Sequence, residues 1–266
     1  MFQPLFVAAS GLEAFEHEIG DITHNLSNAR TVGFKRGRLD KESLFYAEKS
    51  FSQYLSQAEN RNADMAVPKT HLGGGVRISS SIHDFAQGSI EITTNQFDCA
   101  IQGEGFYQIR LADGTLAYTR AGNFHKDNEG NIVDPNGNLL EPSITLPPGT
   151  TALIIRPDGK VFVSVDGQEA QQEVGQISLV RFTNASGLTP LGNNLYKASQ
   201  TSGEPMEGIA STEGFGTINQ FAIEQSNVDV IQELMRMTLT QRIFEVVSKA
   251  IQAYDGMLQS LNQIRA

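Results

Sequence analysis

Leu5-Phe6-Val7-Ala8-Ala9-Ser10-Gly11-Leu12-Glu13-Ala14-Phe15-Glu16-His17-Glu18-Ile19-Gly20-Asp21-Ile22-Thr23-His24-Asn25-Leu26-Ser27-Asn28-Ala29 is the stretch that decides the fold. Its apolar side chains recur at alternating spacings of three and four. Leu5, Ala8, Leu12, Phe15, Ile19, Ile22, Leu26 and Ala29 share one heptad seam without a break. About three to four heptads of this kind predict a helix that packs on other helices along a narrow stripe. Pro4 suits a first helical turn and Gly33, just past the seam, suits a stop.

The other end of the chain repeats the pattern. Ile243, Val247, Ala250, Ile251, Tyr254, Met257, Leu258, Leu261 and Ile264 form a stripe, and Ile231, Met235 and Leu239 extend it upstream in four-residue steps that resemble a stutter. Ser226-Asn227-Val228-Asp229 supplies polar capping residues before the periodic run. No Pro interrupts Val230 to Ile264, and Gly256 is the sole Gly. A helix of that extent is about 50 Å long at 1.5 Å per residue, long for a compact domain.

Between the ends the period changes. Short alternating runs are separated by Asp113-Gly114, Asn136-Gly137, Asp158-Gly159 and Asp166-Gly167, pairs that tolerate the positive φ of a hairpin turn. Phe106 to Leu111 and Thr115 to Thr119 read as one hairpin, and Leu153 to Arg156 with Lys160 to Val165 as another. The expected fold class is α+β: paired long N- and C-terminal helices, coiled-coil-like, with an inserted antiparallel β domain. The expected domains are an N-terminal assembly helix at 1–36, an extended connector at 37–71, a β-rich domain at 72–225 and a C-terminal assembly helix at 226–266.

Composition narrows the function. Thirty acidic and twenty basic residues give a formal net charge of −10, a field that repels phosphate backbones and argues against nucleic acid as a partner. No apolar run approaches the ~20 residues of a membrane helix, so no membrane insertion is expected. Met1-Phe2-Gln3-Pro4-Leu5 lacks a positive segment before an apolar one, and a cleavable secretory signal is not expected. The single cysteine, Cys99, lies in an alternating strand-like run and reads as a small buried hydrophobe.

A search for chemistry finds none. His17-Glu18 begins like a zinc-protease helix, but Asp21 stands where the second His belongs. His24 is about 10 Å further along a helix, too far to share one zinc. Asp127-Asn128-Glu129-Gly130 and Asp134-Pro135-Asn136-Gly137-Asn138 faintly resemble calcium loops, yet His125 and Ile132 occupy the positions five residues before each Gly. Hairpin turns account for both better. Gly73-Gly74-Gly75 and Gly103-Glu104-Gly105 continue into no phosphate-binding pattern. The expectation is no catalytic residue, no cofactor and no metal: a building block and not an enzyme.

Several motifs carry a resemblance. Residues 8–36, with Ala8-Ala9-Ser10-Gly11-Leu12-Glu13-Ala14, then His24-Asn25-Leu26-Ser27-Asn28-Ala29, then Thr31-Val32-Gly33-Phe34-Lys35-Arg36, closely resemble the opening of flagellar rod and hook proteins. Ser226-Asn227-Val228-Asp229 and the Glu233-Leu234, Gln241-Arg242, Glu245 and Ser248-Lys249-Ala250 that follow resemble their closing helix. Asp98 to Tyr107, Tyr118 to Phe124, Arg156-Pro157-Asp158-Gly159 and Leu191-Gly192-Asn193-Asn194-Leu195-Tyr196 are similar to the family's β-domain signatures. Within the family the chain looks most like the distal rod subunits, with a proximal rod subunit as the alternative. Outside it, a secreted β-rich binding module or a β-rich hydrolase are the rival readings.

The resemblance implies a structural subunit of the flagellar basal-body rod, exported uncleaved through the flagellum's own type III apparatus and polymerised helically into a hollow drive shaft crossing the periplasm. Its partners would be further copies of itself, other rod and hook subunits and the surrounding ring proteins. The expected subunit contacts are the seam residues Leu5, Ala8, Leu12, Phe15, Ile19, Ile22, Leu26 and Ala29 with Ile243, Val247, Ala250, Tyr254, Met257, Leu261 and Ile264.

Overall fold

Helix α1 runs Gln3–Ser27 in the computed structural model, which describes residues 3–50, 69–166, 171–212 and 214–265. The chain then turns through 28–36 and enters β1 (Gly37–Ser43), β2 (Ala47–Ser50), β3 (Lys69–Leu72), β4 (Val76–His83) and β5 (Ile90–Ile92). Next come β6 (Cys99–Gln102), β7 (Phe106–Arg110), β8 (Leu116–Thr119), β9 (His125–Lys126), β10 (Ile132–Val133) and β11 (Leu139–Glu141). A second group holds β12 (Thr150–Ile155), β13 (Lys160–Val165), β14 (Gln172–Gln176), β15 (Ser178–Arg181), β16 (Thr189–Gly192) and β17 (Leu195–Lys197). β18 (Met206–Ile209), β19 (Thr217–Gln220) and β20 (Ala222–Glu224) lead into the long helix α2 (Val230–Arg265).

The Asp-Gly and Asn-Gly signals turn the chain where they were read. β7 and β8 pair antiparallel across Asp113-Gly114, with Tyr107 opposite Thr119 and Arg110 opposite Leu116. β12 and β13 pair across Asp158-Gly159, with Ile155 opposite Val161. Gly114, Gly137 and Gly159 all take φ between 80° and 84°, the left-handed region such turns need. The turn expected at Asp166-Gly167 lies partly outside the described residues. The largest sheet runs β16-β17-β8-β7-β11-β10-β9, with β15 and β18 added beside β7, and β12-β13-β14 form a three-stranded sheet. One apolar core joins these layers through Tyr107, Ile109, Leu140, Val161, Leu179 and Ile218. A smaller aromatic cluster gathers Phe106, Tyr118, Phe182 and Tyr196.

The chain forms two compact units. One comprises the described residues of Met1–His24, Arg38–Ser81 and Ile231–Ala266, the other those of Asn25–Gly37 and Ile82–Val230.

The antiparallel β domain and a helix at each end are present, but the expectation of long, paired, coiled-coil-like helices is not met. An ion pair joins α1 and α2: Arg236 Nη2 lies 3.5 Å from Glu18 Oε1 and Nη1 lies 3.3 Å from Glu233 Oε1, while Lys41 of β1 donates to Glu18 Oε2. The physical reason lies in α2. Its fully buried positions are Glu233 and Thr240, whereas Ile231, Met235 and Leu239 stand 72%, 69% and 60% exposed. A seam needs its apolar residues inward, and in the first turns of α2 the inward positions are polar, with Val247 and Tyr254 only half-buried further along the same line. The N-terminal pattern also overruns its helix, because α1 ends at Ser27 and Ala29 falls in the turn that follows.

Candidate functional site

Parts of the signature segments quoted above, residues 25–36, 98–107, 118–124, 156–159, 191–196 and 226–229, lie in one compact unit although far apart in the chain. Asn25, in the last turn of α1, pairs with Gly37 through its side-chain amide: Nδ2 donates to Gly37 O at 2.9 Å, and Gly37 N donates to Asn25 Oδ1 at 2.8 Å. The amide imitates a strand partner, and residues 25–37 become a closed loop. Gly33 reaches its place with φ +68°, and a Cβ there would lie 2.5 Å from Ala121 N. Only Gly meets both the conformation and the approach. Asn194, with Asn193 in a two-residue hairpin turn at φ 59° and 52°, donates from Nδ2 to Val32 O at 2.9 Å.

Charge pins the tip of that loop. Lys35 Nζ donates to Glu224 Oε1 and to Ala86 O, each at 2.7 Å. Arg120 Nε lies 3.2 Å from Glu224 Oε2. Its Nη1 and Nη2 donate to Gly105 O and Gly103 O at 2.7 and 2.8 Å. Gly88 N adds a bond to Glu224 Oε1 at 2.9 Å. Lys35 and Glu224 are wholly buried and Arg120 is 4% exposed. Two cations thus share one carboxylate in the interior, and each also donates to backbone carbonyls. Burial lowers Lys35 and Arg120 below their ordinary ranges, against the opposing pull of Glu224 on each. Such a cluster is costly to bury and still costlier to break. Backbone bonds run beside it, from Gly33 N to Glu224 O at 2.8 Å and from Arg36 N to Asn227 Oδ1 at 2.8 Å.

A cleft of about 670 Å³ opens next to this cluster. Ala86, Gly103, Gly105 and Arg120 border it, and the rings of Phe85, Phe106 and Phe182 form an apolar wall. The faint calcium loops resolve as turns. Asp134 Oδ1 accepts from Asn136 N and Asn138 N at 2.9 and 2.8 Å, and Asp127 Oδ1 accepts from Glu129 N and Asn131 N at 2.8 and 2.7 Å. Cys99 is fully buried, and burial pushes its thiol up to about 12, with Asp98 adding to the effect.

The expected contact residues fall into several environments. On α1, Leu5, Ala8, Leu12, Phe15, Ile19 and Leu26 are half-buried and Ile22 is fully buried. Phe15 lies under Lys41, whose Nζ is 4.8 Å from the ring centre. Ala29 is half-buried in the loop beyond the helix. On α2, Val247 and Tyr254 are half-buried, while Ile243, Ala250 and Met257 are exposed. The side chains of Leu261 and Ile264 lie outside the described residues. Sequence reading assigned no role to Asn25, Lys35, Arg120 or Glu224. The first three stood inside quoted motifs, and the signal available was a charged or amide residue set among apolar and glycine neighbours.

Comparison with known proteins now supplies the class. The family model described as the flagellar hook protein FlgE/F/G D1 domain matches residues 100–163, and that of the flagellar basal body rod FlgEFG protein C-terminal matches residues 219–264. Together with the two-ended helical architecture, these matches define a structural protein of the flagellar rod and hook class. Over the full length the chain is 40% identical to the flagellar basal-body rod protein FlgG of Buchnera aphidicola subsp. Schizaphis graminum, across 99% of this chain and 100% of that protein. It is 38% identical to FlgG of Caulobacter vibrioides over the same shares, and 37% identical to FlgG of Borreliella burgdorferi over 100% of this chain and 99% of that one. The chain therefore belongs to the flagellar basal-body rod protein family.

Proposed function

We propose that this chain is a subunit of the distal rod of the flagellar basal body, polymerising helically with its own copies into a hollow shaft that transmits torque and passes exported subunits. The reading places the shaft across the periplasm, in contact with other rod and hook subunits and with surrounding ring proteins, and has the chain delivered by the flagellum's own export apparatus. It keeps the four segments drawn from sequence: assembly segments at 1–36 and 226–266, the connector at 37–71 and the β-rich domain at 72–225.

The observation that carries it is the outward apolar stripe at the start of α2, with Ile231, Met235 and Leu239 in water while Glu233 and Thr240 are buried. At about 25 cal/mol per Å², apolar surface of this kind favours cover by a neighbour. Contacts between copies that do not close into a ring generate a filament. The faces presented to neighbours would include the seam residues of α1 and Ile243, Val247, Ala250, Tyr254, Met257, Leu261 and Ile264 of α2.

The test is direct. Concentrated purified chain, imaged by negative-stain electron microscopy, is expected to form rods of uniform width. A chain that stays monomeric at every concentration, alone and with rod and hook subunits added, would overturn the reading.

A further inference from the structure

Loop 25–37 runs from the last turn of α1 to β1, and only its last residue, Gly37, belongs to a strand. Its bonds within its unit are Asn194 to Val32 O, Gly33 N to Glu224 O, Lys35 to Ala86 O and Glu224, Arg36 N to Asn227, and Asp84 N to Arg36 O. A second segment, 84–88, is held by Gly88 N on Glu224 Oε1, by Asn227 Nδ2 on Asp84 O and Ala86 O, and by Gln87, whose Nε2 donates to Ile101 O and whose Oε1 accepts from Gly103 N. Glu224 and Asn227 each bond to both segments, and Glu224 also meets Arg120.

We propose that Glu224 is the charged keeper of a latch: loop 25–37 and segment 84–88, joined to each other through Asp84 N to Arg36 O and Lys35 to Ala86 O, dock and release together on this buried carboxylate, while the sheet around β7 stays closed. The reasoning is energetic. Opening either segment alone would leave Glu224 short of a partner inside the protein, or Lys35 without its counter-ion, and a buried unpaired charge is strongly unfavourable. Opening both lets water reach all three charges at once. Local openings of this sort occur in cooperative pieces below the global unfolding free energy. Lys35 and Glu224 are 189 residues apart, so the root of the N-terminal helix can dock only once the last strand of the β unit is in place. Lys35, Arg120 and Glu224 are positioning residues here. The inference does not depend on the rod assignment.

Hydrogen exchange of the full-length chain tests it, comparing wild type with Glu224→Gln, Lys35→Met and the double variant. Glu224→Gln keeps the shape and removes the charge. Its Gly33 and Gly88 amides are expected to exchange faster by a common factor of at least ~10, the size expected from losing charge-assisted bonds. The amides of Tyr107 and Ile109 are expected to keep their protection. The double variant is expected to be no faster at Gly33 than about the faster single variant, because residues of one network do not add. Acceleration at Gly33 without Gly88, no acceleration at either, or equal acceleration at Tyr107 would overturn the latch. If Lys35→Met does not fold, the Glu224→Gln comparison decides by the same criteria.

Discussion

Lys35 Nζ sits 2.7 Å from Glu224 Oε1 with both side chains at zero solvent exposure, joining the segment that leaves the first helix to the strand that precedes the last one. The pair ties loop 25–37 to the strand nearest the last point at which the chain leaves this unit.

Removing the carboxylate strands two cations in the interior. Glu224→Ala is expected to destabilise the fold by about 3–5 kcal/mol, the usual cost of breaking a buried pair. Urea unfolding of the purified chain reads this as a lower midpoint at an unchanged slope. A midpoint within error of wild type would show that the cluster contributes nothing.

Gly122 faces the carbonyl of Cys99 so closely that a Cβ would lie 1.6 Å from the oxygen. The atom in the way is backbone, which cannot swing aside as a flexible side chain would. Gly122→Ala is expected to cost about 1–3 kcal/mol or more through forced backbone displacement. Thermal unfolding checks it, with a fall of about 2–4 °C expected per kcal/mol in a chain of this size.

The Cys99 thiol carries a pH dependence whose sign follows from burial. Its folded value of about 12 stands above the ordinary 9.0, so the folded state holds the proton to higher pH than the unfolded one. The contribution is fully present below pH 9 and is lost as pH rises toward 12. Native chain at pH 8 is accordingly expected to ignore a thiol reagent that labels the urea-unfolded chain within minutes. Equal rates in the two states would contradict the buried-thiol account.

Substitutions on the outward face of α2 and on the seam of α1 are expected to separate assembly from folding. Ile231→Asp with Met235→Asp changes exposed positions and is expected to leave stability within about 0.5 kcal/mol, as surface substitutions do, while abolishing rod formation. Leu12→Asp with Ile19→Asp is expected to abolish rods as well, with a larger loss of stability because both residues are half-buried. Circular dichroism melts alongside sedimentation would show whether the two effects part as stated.

Local chemistry made much of this fold legible. Asp113-Gly114 and Asp158-Gly159 announce hairpins because few residues accept their turn geometry, and the alternation on either side sets the register. The terminal helices announce themselves by period. Which stripe of α2 is covered within the chain was not legible, since periodicity reports that a stripe exists and not what lies against it. Glu233 and Thr240, the buried positions, carry no hydropathy signal at all. The Lys35–Glu224–Arg120 cluster was hidden for a different reason. Its members are scattered from the first helix's exit to the last strand, and nothing in one sequence marks two charges 189 residues apart as partners.

The rod assignment is tested most directly by electron cryomicroscopy of basal bodies purified from cells whose only copy of this subunit carries a small density tag in the β-rich unit. Tag density repeating helically along the rod between its proximal end and the hook is the expected result. Basal bodies whose rod is complete and free of the tag would contradict it.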